Sequence, residues 1–237
     1  MTRSRGVVIS DLHYFSTRSN AEKRLDEVHE AIQNADICVL NGDIFDFRWT
    51  RLPSIHDTIL AAVEWLQELM RRNPACTYHY VLGNHDSLPA FVDHFPKIVQ
   101  EFENFSWQSR ELRIGTNLFL HGDIIHSGMD NLESLDLYRK RFDHDDLQHG
   151  ALHHLYSGLV LFRLHKVAYV LNRPNRACEK VLSYYRTHSP ELLEGVTDIF
   201  FGHTHAPFSN YRHQGILFHN TGSMIRGLRH AILVFEV

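Results

Sequence analysis

Apolar and polar positions alternate along this chain in two rhythms, one suited to buried strands and one to amphipathic helices. A short β-branched run over residues 6–10 stops at Asp11, which predicts a buried strand ending in a loop. Ser19 and Glu22 stand at capping-box spacing, and Leu25, Val28 and Ile32 mark one face of a helix behind them. Residues 36–40 predict a second strand. A second helix starts near Ser54 and places Ile59, Val63, Leu66 and Met70 on one stripe. Residues 77–82 form a third strand, and residues 112–120 a hairpin around Gly115-Thr-Asn117. Further strands are expected over 198–201, 217–219 and 231–237.

Strand, helix, strand, helix and strand, followed by hairpins, predict an α/β core with mixed sheets. The stretch from about 124 to 190 breaks this rhythm and reads as a wholly helical insert within a single domain. Its second half is basic, with Arg163, Lys166, Arg173, Arg176, Lys180 and Arg186 against Glu179 alone. An insertion between two site-bearing strands usually overhangs the site, so a cap is expected.

Composition narrows the class. The 237 residues, 43% of them hydrophobic and 22% charged, can bury one sizeable core. A net charge of −4 argues against a surface that binds nucleic acid throughout. Cys38, Cys76 and Cys178 are scattered and odd in number, which disfavours a disulfide framework and fits a reducing compartment. The N-terminus lacks an export-type apolar region, and residues 155–171 are interrupted by Arg163, His165 and Lys166. A cytoplasmic location is therefore expected.

The chain holds 19 histidines, so position has to decide which matter. Five short motifs each follow a predicted strand: Asp11-Leu-His13, Gly42-Asp43-Ile-Phe-Asp46, Gly83-Asn84-His85-Asp86, Leu120-His121-Gly122 and Gly202-His203-Thr-His205. In open α/β sheets such strand ends converge on one rim. Oxygen and imidazole donors suit divalent ions such as Mn²⁺, Fe²⁺, Zn²⁺, Co²⁺ or Ni²⁺. In extended chain, residues two apart share a side, so Asp11 with His13 and His203 with His205 can each present two donors. A carboxylate such as Asp43 can bridge two cations. Each motif alone reads as a turn or a surface pair; together, without a metal, they would bury unpaired charge. The tract Asp143-His-Asp-Asp146 with His149, His153 and His154 reads as a solvated helix start.

In this order the five motifs resemble the calcineurin-like metallophosphoesterase superfamily. The resemblance implies a four-layer α/β/β/α sandwich with a helical cap and two divalent metals, Mn²⁺ first among them. It implies that Asp11, His13 and His205 bind one metal with Asp43, that Asn84, His121 and His203 bind the other, and that Asp43 bridges. His85 would bind the phosphoryl oxygen or protonate the leaving group, with Asp46 and Asp86 orienting it or the ligating histidines. Asn220-Thr-Gly-Ser223 would line the pocket or form a plain turn. The substrate would be an anionic phosphoester.

Small length, His121-Gly-Asp123 and the helical insert also resemble the UDP-2,3-diacylglucosamine pyrophosphatase branch. This implies an amphiphilic substrate, contact with the inner membrane through the insert, and Arg163, Lys166, Arg173 or Arg176 facing the anion. That branch carries Gly-Asn-Arg-Asp where this chain has His85, which points instead to a phosphodiester or phosphomonoester of nucleotides or phosphoproteins. A non-catalytic scaffold on the same fold is the reading from another class, and such proteins tend to lose residues that this chain retains.

Overall fold

The computed structural model describes residues 4–127, 132–143 and 173–237. Two five-stranded sheets face each other. The first has the order β10(Leu233–Glu236), β1(Arg5–Ile9), β2(Ile37–Asn41), β3(Thr77–Val81), β4(Phe105–Gln108). Strands β1 to β4 run parallel and β10 pairs antiparallel with β1. The second sheet has the order β5(Glu111–Ile114), β6(Asn117–Leu120), β7(Asp198–Phe201), β9(Ile216–Asn220), β8(Phe208–His213). Its centre, β6, β7 and β9, is parallel, with an antiparallel strand at each edge.

The two-residue side-chain period of these strands sorts the core into three apolar layers. Val7, Ile9, Cys38, Leu40, Tyr78 and Tyr80 face outward onto the helices α1(Leu25–Gln33), α2(Ile55–Arg72), α3(Pro89–Val92) and α4(Phe95–Glu101). Val8, Val39, Val81, Phe119 and Phe200 face inward and fill the space between the sheets with Phe235. Leu118, Leu120, Ile199, Phe201 and Phe218 face outward on the other side, where helix α6(Pro174–His188) covers them with Val181, Leu182 and Tyr185. Three apolar layers separate four layers of secondary structure, the α/β/β/α sandwich.

Local rules explain most element ends. The Ser54 hydroxyl accepts from the Asp57 amide at 3.0 Å and so caps α2, whose residues Ile59, Leu66 and Met70 are buried. Ser19 departs from its predicted capping box. Its hydroxyl accepts from Ala21 and donates to the Leu12 carbonyl, while Glu22 pairs with Arg51. The segment therefore opens as a 3₁₀ turn, Ala21–Arg24, before α1 begins. Strands β4 and β8 and helices α3 and α4 were not expected from the sequence pattern. β4 and β8 are edge strands of four and six residues without a continuous apolar run.

The predicted insert over 124–190 divides. A short helix α5(Leu132–Lys140) follows a 3₁₀ turn, Asp123–Ile125. Its last part is α6, which is the fourth layer of the sandwich itself. Arg163 and Lys166, the apolar positions between residues 155 and 171, and the histidines of the 143–154 tract lie outside the described residues. All three cysteines are buried free thiols. Among the described residues no helix is long and apolar enough to cross a membrane.

Candidate metal centre

The site gathers where β1, β2, β3, β6 and β7 end. Buried Asn41 ties the two sheets together there, its side-chain amide donating to the Leu120 and Phe200 carbonyls at 2.8 and 3.3 Å. The loops after β1 and β2 zip together. Asp11 donates to the Gly42 carbonyl at 3.0 Å, His13 to that of Asp43 at 3.0 Å, and Tyr14 to that of Ile44 at 2.8 Å.

Extended chain would place Asp11 with His13 and His203 with His205 on shared sides. The structure gives another reason. Asp11, His13, Asp43, His203 and His205 all adopt left-handed backbone, with φ between 46° and 60°. Non-glycine residues enter this region at a penalty on the order of 1 kcal/mol each, and they cluster where surrounding structure over-determines a functional geometry. The zipped loops supply that structure. Gly202 is required by close approach, since a Cβ there would fall 1.9 Å from Asp11 Oδ2. A Cβ at Gly83 would fall 2.5 Å from the Asp43 amide nitrogen.

Two donor groups result. In the first, His205 Nε2 lies 3.2 Å from Asp11 Oδ1 and 3.3 Å from His13 Nε2. In the second, His121 Nε2 lies 3.3 Å from Asp43 Oδ2 and 3.2 Å from Asn84 Oδ1. His203 joins this group, and one ligand atom each of Asp43, His121 and His203 lie within 4.8 Å of one another. Asp43 Oδ2 is also 3.9 Å from His13 Nε2, so this carboxylate stands between the groups. All seven residues named from the motifs are thus brought together.

Each group is held from behind. The Asp11 carboxylate accepts from the His203 amide at 3.0 and 3.1 Å and from the Ser10 hydroxyl. Ser10 in turn lies 2.5 Å from Thr221 Oγ1, and the Ser223 hydroxyl donates to the Asp11 carbonyl. Asn220 donates to the Gly202 carbonyl at 2.8 Å. The 220–223 segment therefore buttresses Asp11 and the 202–205 loop, a role that its turn-like sequence did not reveal. Asp86 accepts from the Ile44 and Gly83 amides at 2.8 and 2.7 Å and from the Tyr80 hydroxyl at 2.6 Å. It pins the loops that carry Asp43 and Asn84, where a contact with a histidine ring was expected.

His85 sits beside the donors. Its amide donates to Asp43 Oδ1 at 2.8 Å, and its Nδ1 lies 3.3 Å from Asp46 Oδ1, which also accepts from Trp49. Burial disfavours charge on the ring, but the Asp46 and Asp43 carboxylates outweigh it and push its pKa up to about 9. For His121 too, burial is overcome by Asp43, and the pKa rises to about 10. Burial, with His121 and His126 nearby, pushes His203 well down, so this imidazole is neutral. His13, Asp46 and His85 form a third cluster, but it shares His13 with the first group, and Asp46 already anchors His85.

One wall comes from α5 and the turn after His121. Arg139 is buried, its Nε and Nη2 pairing with Asp123 at 2.6 and 3.2 Å and Nη2 also donating to the Leu82 carbonyl at 2.8 Å. This anchors Tyr138 and Phe142, whose ring centroids lie 6.2 Å from His203 and 5.1 Å from His85 respectively. Exposed His126 approaches His203 with Nδ1 2.7 Å from its Nε2. Sequence reading missed Ser10, Asn41, His126, Tyr138 and Phe142, because none belongs to a motif. Arg173 and Arg176 are exposed at the start of α6, outside the donor groups.

The residues fit divalent cations. Asp11 and Asp43 are 0% and 1% exposed, and among the described residues their ion pairs are with histidines. Buried carboxylates surrounded by imidazoles that can turn neutral are short of positive charge, which a cation supplies.

Comparison with known proteins identifies the family and the fold. The family model for calcineurin-like phosphoesterases matches residues 5–207. No curated protein sequence matches significantly. Among solved structures, a dimetal phosphatase from Danio rerio (LOC 393393) is similar in fold. Its TM-score is 0.52 at 15% identity, covering 98% of this chain and 91% of that one.

Proposed function

Because the chain belongs to the calcineurin-like phosphoesterase family, we propose that it hydrolyses phosphoesters at a pair of divalent metals. Asp11, His13 and His205 hold one metal, Asn84, His121 and His203 hold the other, and Asp43 bridges. The observation that carries this reading is the position of Asp43 Oδ2, 3.3 Å from His121 Nε2 and 3.9 Å from His13 Nε2, between two complete donor groups. A bound metal pair supplies an activated water and neutralises charge at phosphorus.

The chain's own residues do the rest. Asp46 holds Nδ1 of His85 and leaves Nε2 as the ring's proton donor. The Asp46 and Asp43 carboxylates favour the protonated ring, the form that protonating an alkoxide or aryloxide leaving group requires. Phe142 stands beside His85, its ring centroid 5.1 Å away. An oxygen- and nitrogen-rich donor set suits a borderline divalent ion, Mn²⁺ among them.

The decisive measurement is hydrolysis of p-nitrophenyl phosphate and of its bis-ester by Mn²⁺-loaded protein. Turnover of either is expected. Protein that carries two equivalents of metal yet turns over neither, nor any nucleotide or phosphosugar, would be a scaffold and not an enzyme. The amphiphile reading, supported by the basic half of the predicted insert, is tested separately. UDP-diacylglucosamine should then be preferred to soluble esters, and equal rates on both would remove it.

A further inference from the structure

An imidazole that binds a metal has a second ring nitrogen, and the partner of that nitrogen decides which tautomer the ring adopts. His121 turns Nδ1 to the Asn41 carbonyl at 3.3 Å and keeps Nε2 for Asp43 and Asn84. Among the described residues no backbone carbonyl takes this role for His203. Its Nε2 meets Nδ1 of His126 at 2.7 Å. Two imidazole nitrogens this close form a hydrogen bond in which one donates and the other accepts.

His126 does not stand there by chance of a loose loop. Its amide donates to the Asp123 carbonyl at 3.0 Å, and Asp123 is gripped by Arg139 of α5. The carbonyl of Ile125, one residue earlier, accepts from Lys180 of α6 at 2.8 Å. Two helices thus hold the turn that presents this ring.

We propose that His126 is a positioning residue for the second metal: its Nδ1 accepts a hydrogen bond from Nε2–H of His203. This leaves Nδ1 of His203 as the nitrogen that carries a lone pair for the cation shared with Asp43 and His121. The inference rests on the two-metal reading above. It also links the turn after β6, and through it α5 and α6, to occupancy of one metal position.

The test uses Co²⁺ binding to the full chain, read by calorimetry and by elemental analysis of the protein. Wild type should take up two equivalents. His126→Ala should weaken one of the two about 10- to 100-fold, the usual effect of removing an outer partner of a ligating histidine, and leave the other unchanged. His126→Asn places a carbonyl oxygen near the position of Nδ1 and should restore most of the loss. A rescue of this kind is not expected if the alanine merely loosens the turn. Equal binding of both ions by wild type and His126→Ala overturns the proposal, as does an asparagine variant no better than alanine. A visible Co²⁺ spectrum changed in His126→Ala as for a lost ligand would make His126 a ligand itself, and also overturns it. If wild type takes up no metal, the two-metal reading falls first and this one with it.

Discussion

The floor of the site and its wall are built on different principles. The floor is built at strand ends: five of its residues, after β1, β2 and β7, are left-handed, backbone bonds zip the loops after β1 and β2, and Asp11, His13, Asp43 and His121 are 1% exposed or less. The wall consists of exposed His126 and the partly exposed Tyr138 and Phe142, carried by one turn and one short helix that the buried Arg139–Asp123 pair ties together. A floor of this kind tolerates little change and sets the chemistry. On the proposed function, the aromatic part of the wall, Tyr138 and Phe142, should vary with modest loss, and discrimination between esters is expected there.

If that division holds, the largest effect belongs to the floor's centre. Asp43→Asn removes the one carboxylate placed between both groups while keeping shape. Metal content should fall below one equivalent, and turnover by about 10³-fold or more. A variant that kept both metals would break the bridging role. His85→Ala should come next, with turnover down about 10²- to 10⁴-fold, the usual worth of a positioned proton donor, while both metals remain. Because loss of the donor matters least when the leaving group is a good one, the deficit should shrink for p-nitrophenyl esters relative to alkyl esters. Loss of metal in this variant would instead place His85 among the ligands.

Arg139 tests the join between floor and wall. Arg139→Met leaves Asp123 charged and 1% exposed without its bidentate partner. Breaking a buried pair from one side costs about 3–5 kcal/mol, readable as a shift in urea midpoint. Adding Asp123→Leu should recover much of that loss. Failure of the double variant to recover would mean that the carbonyl bonds of Arg139 to Leu82 and Ser109 carry the stability.

The contrast also explains what was legible in the chain. Floor residues announce themselves because a ligand, a glycine that lets backbone approach and a preceding apolar strand must be adjacent in sequence, as at Gly83-Asn84 and Gly202-His203. The α/β core with mixed sheets was legible for the same reason, since strands such as β1 and β7 are short apolar runs, whereas the four-layer sandwich was implied by the family resemblance. What sequence could not reveal is partnership at long range. Thr221 backs Ser10 from 211 positions away, and His126 meets His203 across 77. The expected side-sharing of Asp11 and His13 came out right for a wrong reason, because left-handed backbone leaves no mark in residue type when the residue is not glycine. Helix α6 was read as part of a cap because it falls in the stretch between two site-bearing strands, whereas its buried Ala177, Val181 and Leu182 decide where it packs.

The smallest effect should come from the wall's edge. Phe142 faces His85 at 5.1 Å between ring centroids, tilted by 56°, and Tyr138 at 5.3 Å. Truncating it removes aromatic contact worth about 0.5–1.5 kcal/mol, which corresponds to a few-fold change in KM. The ring stands beside the group proposed to protonate the leaving alcohol, so the loss should fall on aryl esters and spare compact ones. Comparing Phe142→Ala with Phe142→Leu on p-nitrophenyl phosphate and glycerol phosphate separates the two contributions. A selective rise in KM for the aryl ester, partly restored by leucine, assigns the wall to recognition of the leaving group. An equal fall in kcat on both would show that the ring serves His85 by excluding water, and the wall would then belong to the chemistry it was contrasted with.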